Sequence, residues 1–540
     1  MNYQKLRKLL LLLFTGLLFT TQGISQVTTE GTEFWLGFMS NFDSGAPSSL
    51  ELFITSKTEA NVEIFVYTDG STRNVTVTPG ITHQEFISIS LDNPYAATLS
   101  GNIEQKAIRI TSDVNISVYA FNNRQRSADA TVVLPASSLG REYYVAAYWE
   151  DEETNQDSPS EFLIVASQDD TEIEITTSAP TISGQPANQP FTITLNQGEI
   201  YQVQADADLT GSFIRASEAS GDCKNFAVFG GNQWGRITFG QDCSTAADPV
   251  AYAPDHLFEQ MYPTNTWGRN YVSFPMELRN NYGLRIMAGE DDTEITIGSD
   301  VITLNSGEYE DFVLNELVAI NANKPIQVAQ FSFSLSCDNN SRAGSGDPFM
   351  MMLNPNEQQL QEINFNALNA TELDNYFLTI ITDSDNTDNV FLNGAQLNSG
   401  EFQTVPGAVQ YAYGNFTIQK ALDYNLFSDG GFVAYIYAFG FIESFGYVAG
   451  ASLENLNLQA QGEDEFIDII ADQACLNAEI DFTALFETPA GQEPRFNTFE
   501  WDFGDGTVAE GESILKVYDE PGFYDIVLIA SDGQGSCGTS

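Results

Sequence analysis

An all-β fold built from tandem sandwich-like repeats, with a separate β module after them, is what the sequence predicts. Three observations carry that expectation. The phrase "SQDDTEIEIT" from Ser167 is written again, nearly unchanged, as "GEDDTEITIG" from Gly289. Around each copy the same ordered set of short apolar runs and turn phrases recurs, which is the mark of a repeat architecture. No long stretch of the chain carries helical periodicity, while strict alternation of Ile with Glu or Thr gives the period of half-buried strands.

In chain order, "MNYQKLRK" supplies a basic start with Lys5, Arg7 and Lys8, followed by an apolar stretch from Leu9 to Phe19 interrupted by Gly16. Small residues then fit a cleavage after Ser25. Residues 1–25 are therefore expected to be a secretory signal peptide, and the protein to be exported to the outer cell surface or beyond it. No cysteine follows until Cys223, which excludes a lipid anchor on an N-terminal cysteine.

Residues 26–455 are expected to hold four β repeats, at about 31–130, 140–235, 267–335 and 363–450. The lead-in strand of the first three reads "GTEFWLGF" (31–38), "GREYYVAAY" (140–148) and "WGRNYVSF" (267–274). An apolar strand follows: "LELFITS" (50–56), "EFLIVAS" (161–167), "YGLRIMAG" (282–289) and "NYFLTIITD" (375–383). After the acidic turn comes "LNQGE" (195–199), "LNSGE" (304–308) or "LNSGE" (397–401), where Asn and Gly suit a tight turn. The units close on "NISVYAFNN" (115–123), "NFAVFGG" (225–231), "PIQVAQFSF" (325–333) and "GFVAYIYAFG" (431–440). Two arrangements stay open: independent sandwiches, or a closed ring of propeller-like blades. The loop at 149–160 and the Pro/Gly-rich insertion at 178–190 are expected to be solvated surface loops, the usual place for recognition. Residues 456–465 read as a linker before a module at 466–540.

Composition bounds the function classes. The 540 residues hold 74 Asp+Glu against 21 Lys+Arg, a net charge of -53, which repels nucleic acid and anionic lipid. The excess is spread along the chain, as in a soluble extracellular protein. The apolar run near 430–450 contains Glu443 and reads as two buried strands, so no transmembrane span is expected. Five cysteines in an exported chain point to disulfides; Cys223 with Cys243 and Cys475 with Cys537 are the expected pairs, with Cys337 left over.

The runs "VVLPASSLGREYYVAAY", "CKNFAVFGGNQ", "DHLFEQMYPTNTWGRNY" and "GDPFMMMLNPNEQ" resemble the N-terminal domain of IgGFc-binding proteins, in the version found in gliding-motility-associated surface proteins of the Bacteroidetes. The resemblance covers roughly residues 30–450 and implies a surface-exposed binding or adhesion module. "FEWDFGDGT" (499–507) with "VYDEPGFYDIVLIASD" (517–532) resembles a PKD domain, an Ig-like β-sandwich. Its motif is Trp501, Asp502, Phe503, Gly504, Asp505 and Gly506, with Trp501 and Phe503 on one strand face and a tight turn at Asp505-Gly506. Pro521-Gly522 suits a type II turn, and Tyr524, Ile526 and Leu528 are expected to alternate inward. Lys516 stands where the family often has His. Similar proteins usually run on to a sorting or anchoring signal, whereas this sequence stops at Ser540, so a fragment of a longer chain is one expectation.

The chemical inventory is sparse. The two histidines are His83, in a turn leading into a strand, and His256, read as a buried hydrogen-bonding residue. No nucleophile elbow, zinc-ligand spacing or phosphate loop is present, so no enzyme activity and no cofactor are expected. Asp383, Asp385 and Asp388 crowd one loop and form a weak calcium candidate, although the loop departs from the EF-hand pattern and aligns with the ordinary acidic turn of the repeats. The leading expectation is a secreted, non-catalytic surface protein that binds a glycan, a matrix component or a protein partner, with the PKD-like module as a spacer. The alternatives are a structural component of a surface or gliding assembly, and a non-catalytic part of a secreted polysaccharide hydrolase.

Overall fold

The protein is described by a computed structural model covering residues 27–454 apart from 43–46, 91–92, 99, 126, 151–157, 218–223, 242–253, 339–345 and 371–372; beyond them it covers 456, 459–462, 480–485, 498–511, 513–518 and 526–531. The expected signal peptide lies outside the described residues, as do Cys223, Cys243, Cys475 and Cys537.

Each repeat is built on a pair of four-stranded antiparallel sheets, one of which gains a short edge strand in units two and four. In the second unit one sheet runs Ile200–Ala205, Ser160–Ala166, Phe226–Gly235, Asp255–Gln260, and the other Phe191–Leu195, Thr171–Thr176, Phe213–Ala216, Glu142–Tyr144. The third unit repeats that order with Tyr309–Leu314, Tyr282–Ala288, Ile326–Ser332, Phe349–Leu353 and with Asp300–Leu304, Thr293–Ile297, Val318–Ala322, Asn270–Ser273. In the first and fourth units a single long strand, Ile108–Arg124 or Asp423–Gly440, serves both sheets. The sheets therefore extend beyond the expected repeat bounds: Asp255–Gln260 and Phe349–Leu353 complete units two and three, and Leu360–Asn366 is the lead-in strand of unit four.

The two readings left open by the sequence merge, because the sandwich-like units close into a ring of four. Their innermost strands, Ser127–Val133, Asp255–Gln260, Phe349–Leu353 and Glu443–Gly450, pack on one another at the centre. Tyr67 donates to Gln197 across the first seam at 3.2 Å, and Tyr144 meets Ser306 across the second at 2.6 Å. The Tyr437 hydroxyl accepts from Glu277 N at 3.0 Å across the third. Unit four returns to unit one, where Tyr119 donates to Ala449 O at 2.5 Å. The N-terminal segment fastens this last seam: Thr29 N donates to Ala451 O and Leu453 N to Val27 O, at 2.9 and 2.7 Å.

The two near-identical phrases sit in equivalent places, and their chemistry explains the repetition. Asp169 and Asp291 accept from Gln197 N and Ser306 N, at 3.0 and 3.1 Å, so each acidic turn caps the following L-N-x-G-E turn. Within that turn Glu199 and Glu308 accept from Asn196 N and Asn305 N. Gly198 and Gly307 adopt φ of 83° and 75°, which favours glycine, and pack on Tyr67 and Tyr144 of the preceding unit. The third copy departs: Ser399–Glu401 and Ser384–Asn389 are 3-10 turns instead.

The outward edges of the ring are blunted, as exposed sheet edges must be to avoid pairing with other chains. Arg73 covers Phe86 O and Ile87 O on the first edge. Ile103–Glu104 pairs on the second, Glu310 and Asp311 charge the third, and Gln403–Val405 covers the fourth. The apolar run at 430–450 forms two buried strands, and no helix among the described residues is long and apolar enough to cross a membrane.

Two expectations need correction. Cys337 is disulfide-bonded rather than left over, and its partner lies outside the described residues. Ile526 is exposed rather than inward, because the small C-terminal core is filled by Phe482, Phe499, Trp501 and Phe503.

The same close contact recurs in units one to three, between the lead-in and the proline after the inner strand: a Cβ on Gly31, Gly140 or Gly268 would lie 2.4, 2.2 or 2.2 Å from Cβ of Pro135, Pro263 or Pro355. Gly140→Ala is therefore expected to destabilise the ring by about 1–3 kcal/mol through overpacking against a rigid proline ring. Urea unfolding measures it, and an unchanged midpoint would contradict this close contact.

Candidate functional site

The centre of the ring concentrates the buried polar chemistry. Each inner strand pairs on one side only, so its other edge presents backbone groups that need partners in a dry interior. Asp129 supplies the main one. Its carboxyl accepts from Ala130 N at 2.9 Å and Phe258 N at 3.0 Å, and the amides of Met350 and Gly446 also act on it, so that one amide from each unit favours its ionised form. Asp255 accepts from Ala128 N at 2.6 Å. Thr131 donates to Glu259 at 2.7 Å and accepts from Gln260 N at 2.9 Å, while Gln260 accepts from Leu134 N at 2.8 Å.

Burial dominates the electrostatics here. It pushes Asp129 well above the usual carboxylate range, opposed by the backbone amides around it. Asp255 is raised by burial and then by Asp347, Glu443 and Asp129, and Asp347 is pushed up to about 7 by burial. His256 is fully buried and pushed down to about 4, hence neutral; its Nδ1 faces Asn232 O at 3.0 Å and its Nε2 faces the Asn122 amide at 3.0 Å. This is the hydrogen-bonding role read from the sequence.

Arg285 locks the second and third units. It makes a bidentate pair with Asp311 at 2.7 Å and reaches Asp208 at 2.7 Å, Thr210 at 2.7 Å and Ala147 O at 2.8 Å. Tyr309, Tyr148, Phe239 and Phe331 surround the guanidinium, the nearest ring centroid at 4.3 Å. Burial works against its charge, but Asp208 and Asp311 more than offset this and hold it above the ordinary arginine value.

The remaining sequence candidates scatter. Asp383 accepts from Gln359, Asp385 and Asp388 are exposed on the 3-10 turn, and the turn is anchored by Asn386, whose amide donates to Thr382 and Ser428. Among the described residues no group of three or more His, Cys, Asp or Glu could hold a metal ion, so these three carboxylates are not brought together as calcium ligands. His83 faces Glu85 at 3.0 Å on the surface. Tyr143 and Tyr144 are core residues, and Trp149 is half-buried. The 178–190 insertion exposes most of its side chains, but its backbone is pinned by Ile182 N to Gln204 O at 2.8 Å. An open polar groove of about 420 Å³ on unit one is lined by Asn61, Glu63, Asn74, Thr76, Thr111 and Asp113.

The PKD-like motif folds as expected. Trp501 and Phe503 are buried, Asp502 is exposed, and the turn takes φ of 69° at Gly504 and 85° at Gly506. Lys516 donates to Asp505 at 2.5 Å and lies over the Phe503 and Tyr518 rings; its hydrogen bond holds the Asp505 carboxyl down to about 2.

Comparison with known proteins fits both regions. A family model described as IgGFc binding protein matches residues 129–438, and one described as PKD domain matches 464–540. The human IgGFc-binding protein is 28% identical over 315 residues, covering 56% of this chain and 5% of that much longer protein. Two solved structures were compared. One is a tetra-tandem repeat from the extending region of a large adhesion protein, at 10% identity and TM-score 0.08 over 78% of this chain and 98% of that one. The other is the N-terminal eight Ig domains of Down Syndrome Cell Adhesion Molecule, at 8% identity and TM-score 0.09 over 93% and 69%. Neither superposes well enough to carry an argument.

Arg285→Met strands two carboxylates in the second seam and is expected to cost about 3–5 kcal/mol, with Arg285→Lys recovering only part because the bidentate fork is lost. Chemical denaturation reads both, and a loss below about 1 kcal/mol for the Met variant would show that the clamp contributes little.

Proposed function

This chain belongs to the IgGFc-binding protein family, and we propose on that footing that it is a secreted, non-catalytic binding protein whose ring presents recognition faces to an extracellular partner. The observation that carries the reading is the family match, which runs through the ring from the central Asp129 into the closing strand of unit four. A closed ring with satisfied seams is a rigid platform, and rigid platforms favour binding because little order is lost on association. The human relative is named for binding the Fc part of IgG. For this chain the proposed partner is a glycan, a matrix component or a surface protein.

The polar groove on unit one and the exposed 178–190 insertion are the faces best suited to contact. Beside Val62 and Val75, the groove is lined by carboxylates, amides and hydroxyls, which match hydroxyl-rich ligands better than anionic ones. The PKD module is proposed to act as a spacer. Surface display, and the gliding-associated assignment that the sequence resemblance implies, belong to the same proposal. The blunted sheet edges weigh against a purely structural role based on edge-to-edge assembly.

Glycan and matrix arrays probed with the intact exported chain, with IgG Fc as a further probe, test this reading. Retention by at least one component, reduced by substitutions at Asn61, Glu63 and Asn74, is the expected result. No retention, together with undiminished adhesion of cells lacking the protein, would overturn it.

A further inference from the structure

The groove on unit one is lined by two carboxylates and no cation. Its walls come from Ala60–Val66, Ser71–Val77 and Ile108–Arg124, whose register sets Glu63 between Asn74 and Thr111 and Asn61 across from Thr76. Asp113 closes the row: its Oδ2 accepts from the Asn61 side-chain amide and its Oδ1 from Asn61 N, both at 2.8 Å. These bonds hold its carboxyl below the usual carboxylate range and use about two of its four lone-pair positions. No hydrogen bond or ion pair among the described residues engages the side chains of Glu63, Asn74, Thr76 and Thr111. The nearest cations along these strands are committed elsewhere. Arg73 turns to Glu85 at 2.7 Å and to Phe86 O and Ile87 O, while Arg109 pairs with Glu33 at 2.8 Å and lies over Trp35.

We propose that this groove takes a glycan with free, protonated amino groups, an amino-sugar chain whose amines carry no acyl group. Glu63 and Asp113 receive the ammonium groups, and the unspent side chains of Asn74, Thr76 and Thr111 meet the hydroxyls. The inference rests on the reading of this groove as a contact face and adds the chemical class of the ligand.

Charge selects the amine. A neutral glycan laid over Glu63 and Asp113 covers two carboxylates and returns no opposite charge, which is unfavourable. An ammonium donates three hydrogen bonds and is attracted by both carboxylates, which stand diagonally across two strands at roughly 7–8 Å. Acylation removes the charge and leaves a single donor. The net charge of -53 works in the same direction, drawing cationic ligands to the whole molecule and repelling anionic ones. Shape and polarity then select a sugar over a basic peptide. The open row of amides and hydroxyls suits a ligand with many hydroxyls. Phe65 follows Glu63 on the same face of its strand, half-buried and edge-on to Tyr67 with ring centroids 4.8 Å apart, and gives the carbon skeleton of a sugar ring an apolar flank.

Calorimetric titration of the intact exported chain at about pH 5.5, where carboxylates are ionised and sugar amines protonated, compares three probes: a glucosamine hexamer, the same hexamer fully N-acetylated, and hexalysine. The glucosamine hexamer is expected to bind about tenfold more tightly than either of the others. Glu63→Gln and Asp113→Asn are each expected to weaken it about two- to fivefold, the range of an exposed charge pair, while Asp300→Asn, an exposed carboxylate on unit three, leaves it unchanged. Equal binding of the acetylated hexamer would overturn the amine assignment, and if Asn74→Ala still weakened that binding the groove would stand as a glycan site. Hexalysine binding as tightly as the sugar would overturn the glycan class. Binding that no groove substitution alters would overturn both the inference and the contact face, since attraction to the acidic surface at large gives that result. Failure of all three probes would overturn the inference alone, because the arrays test the wider reading. Both substituted carboxylates lie on the surface, and the ranking of probes on the wild type decides the ligand class without the variants.

Discussion

Four sheet edges meet at the middle of this molecule, and the rest of the structure depends on how they are satisfied. An inner strand that pairs on one side leaves amides and carbonyls facing a dry interior, where each unmet group costs about 1–3 kcal/mol. Adding further strands would fill the centre; the chain uses side chains instead. Asp129 takes the amides of Ala130 and Phe258 and is acted on by those of Met350 and Gly446, while Asp255, Thr131 and Gln260 take others. This arrangement sets the register of the inner strands against one another, and it makes the four units unequal, because only unit one carries the collecting carboxylate.

Acidic residues consequently do two different jobs. On the surface they hold turns: Asp169, Asp291, Glu199 and Glu308 each accept a backbone amide in the repeated phrase. In the interior they substitute for strand partners, and burial raises their affinity for protons. One cation, Arg285, locks two units, with two carboxylates and four aromatic rings around it. Binding is then left to outward polar faces on a scaffold whose seams are already satisfied.

The strand content, the four units and the equivalence of the two Asp-Asp-Thr phrases were legible in the sequence, because they rest on local alternation and on turn chemistry that spans a few residues. The burial of Trp501 and Phe503 in the PKD motif was legible for the same reason. Ring closure was not. It is made by Thr29 with Ala451 and by Tyr119 with Ala449, pairs separated by most of the chain and marked by no pattern. The hub was hidden in a different way: Asp129, Asp255 and Asp347 look like three more surface acids in a chain of charge -53, and nothing nearby reveals that their partners lie in other units. The inner strands of units two and three, "DHLFEQ" and "DPFMMML", carry no alternation because both faces are buried. The sequence crowds Asp383, Asp385 and Asp388 into one loop but does not reveal that Asn386 anchors the turn and leaves Asp385 and Asp388 exposed.

The claim that one carboxylate keys four units together is tested most directly by amide hydrogen exchange at Phe258, Met350 and Gly446, in wild type and in Asp129→Asn. These amides belong to three different units and all act on this one carboxyl, Phe258 N by a hydrogen bond of 3.0 Å. The account predicts that all three lose protection together in the variant, by a similar factor, while amides in the outer sheets of the same units keep theirs. Unchanged protection, or loss confined to one of the three, would contradict it.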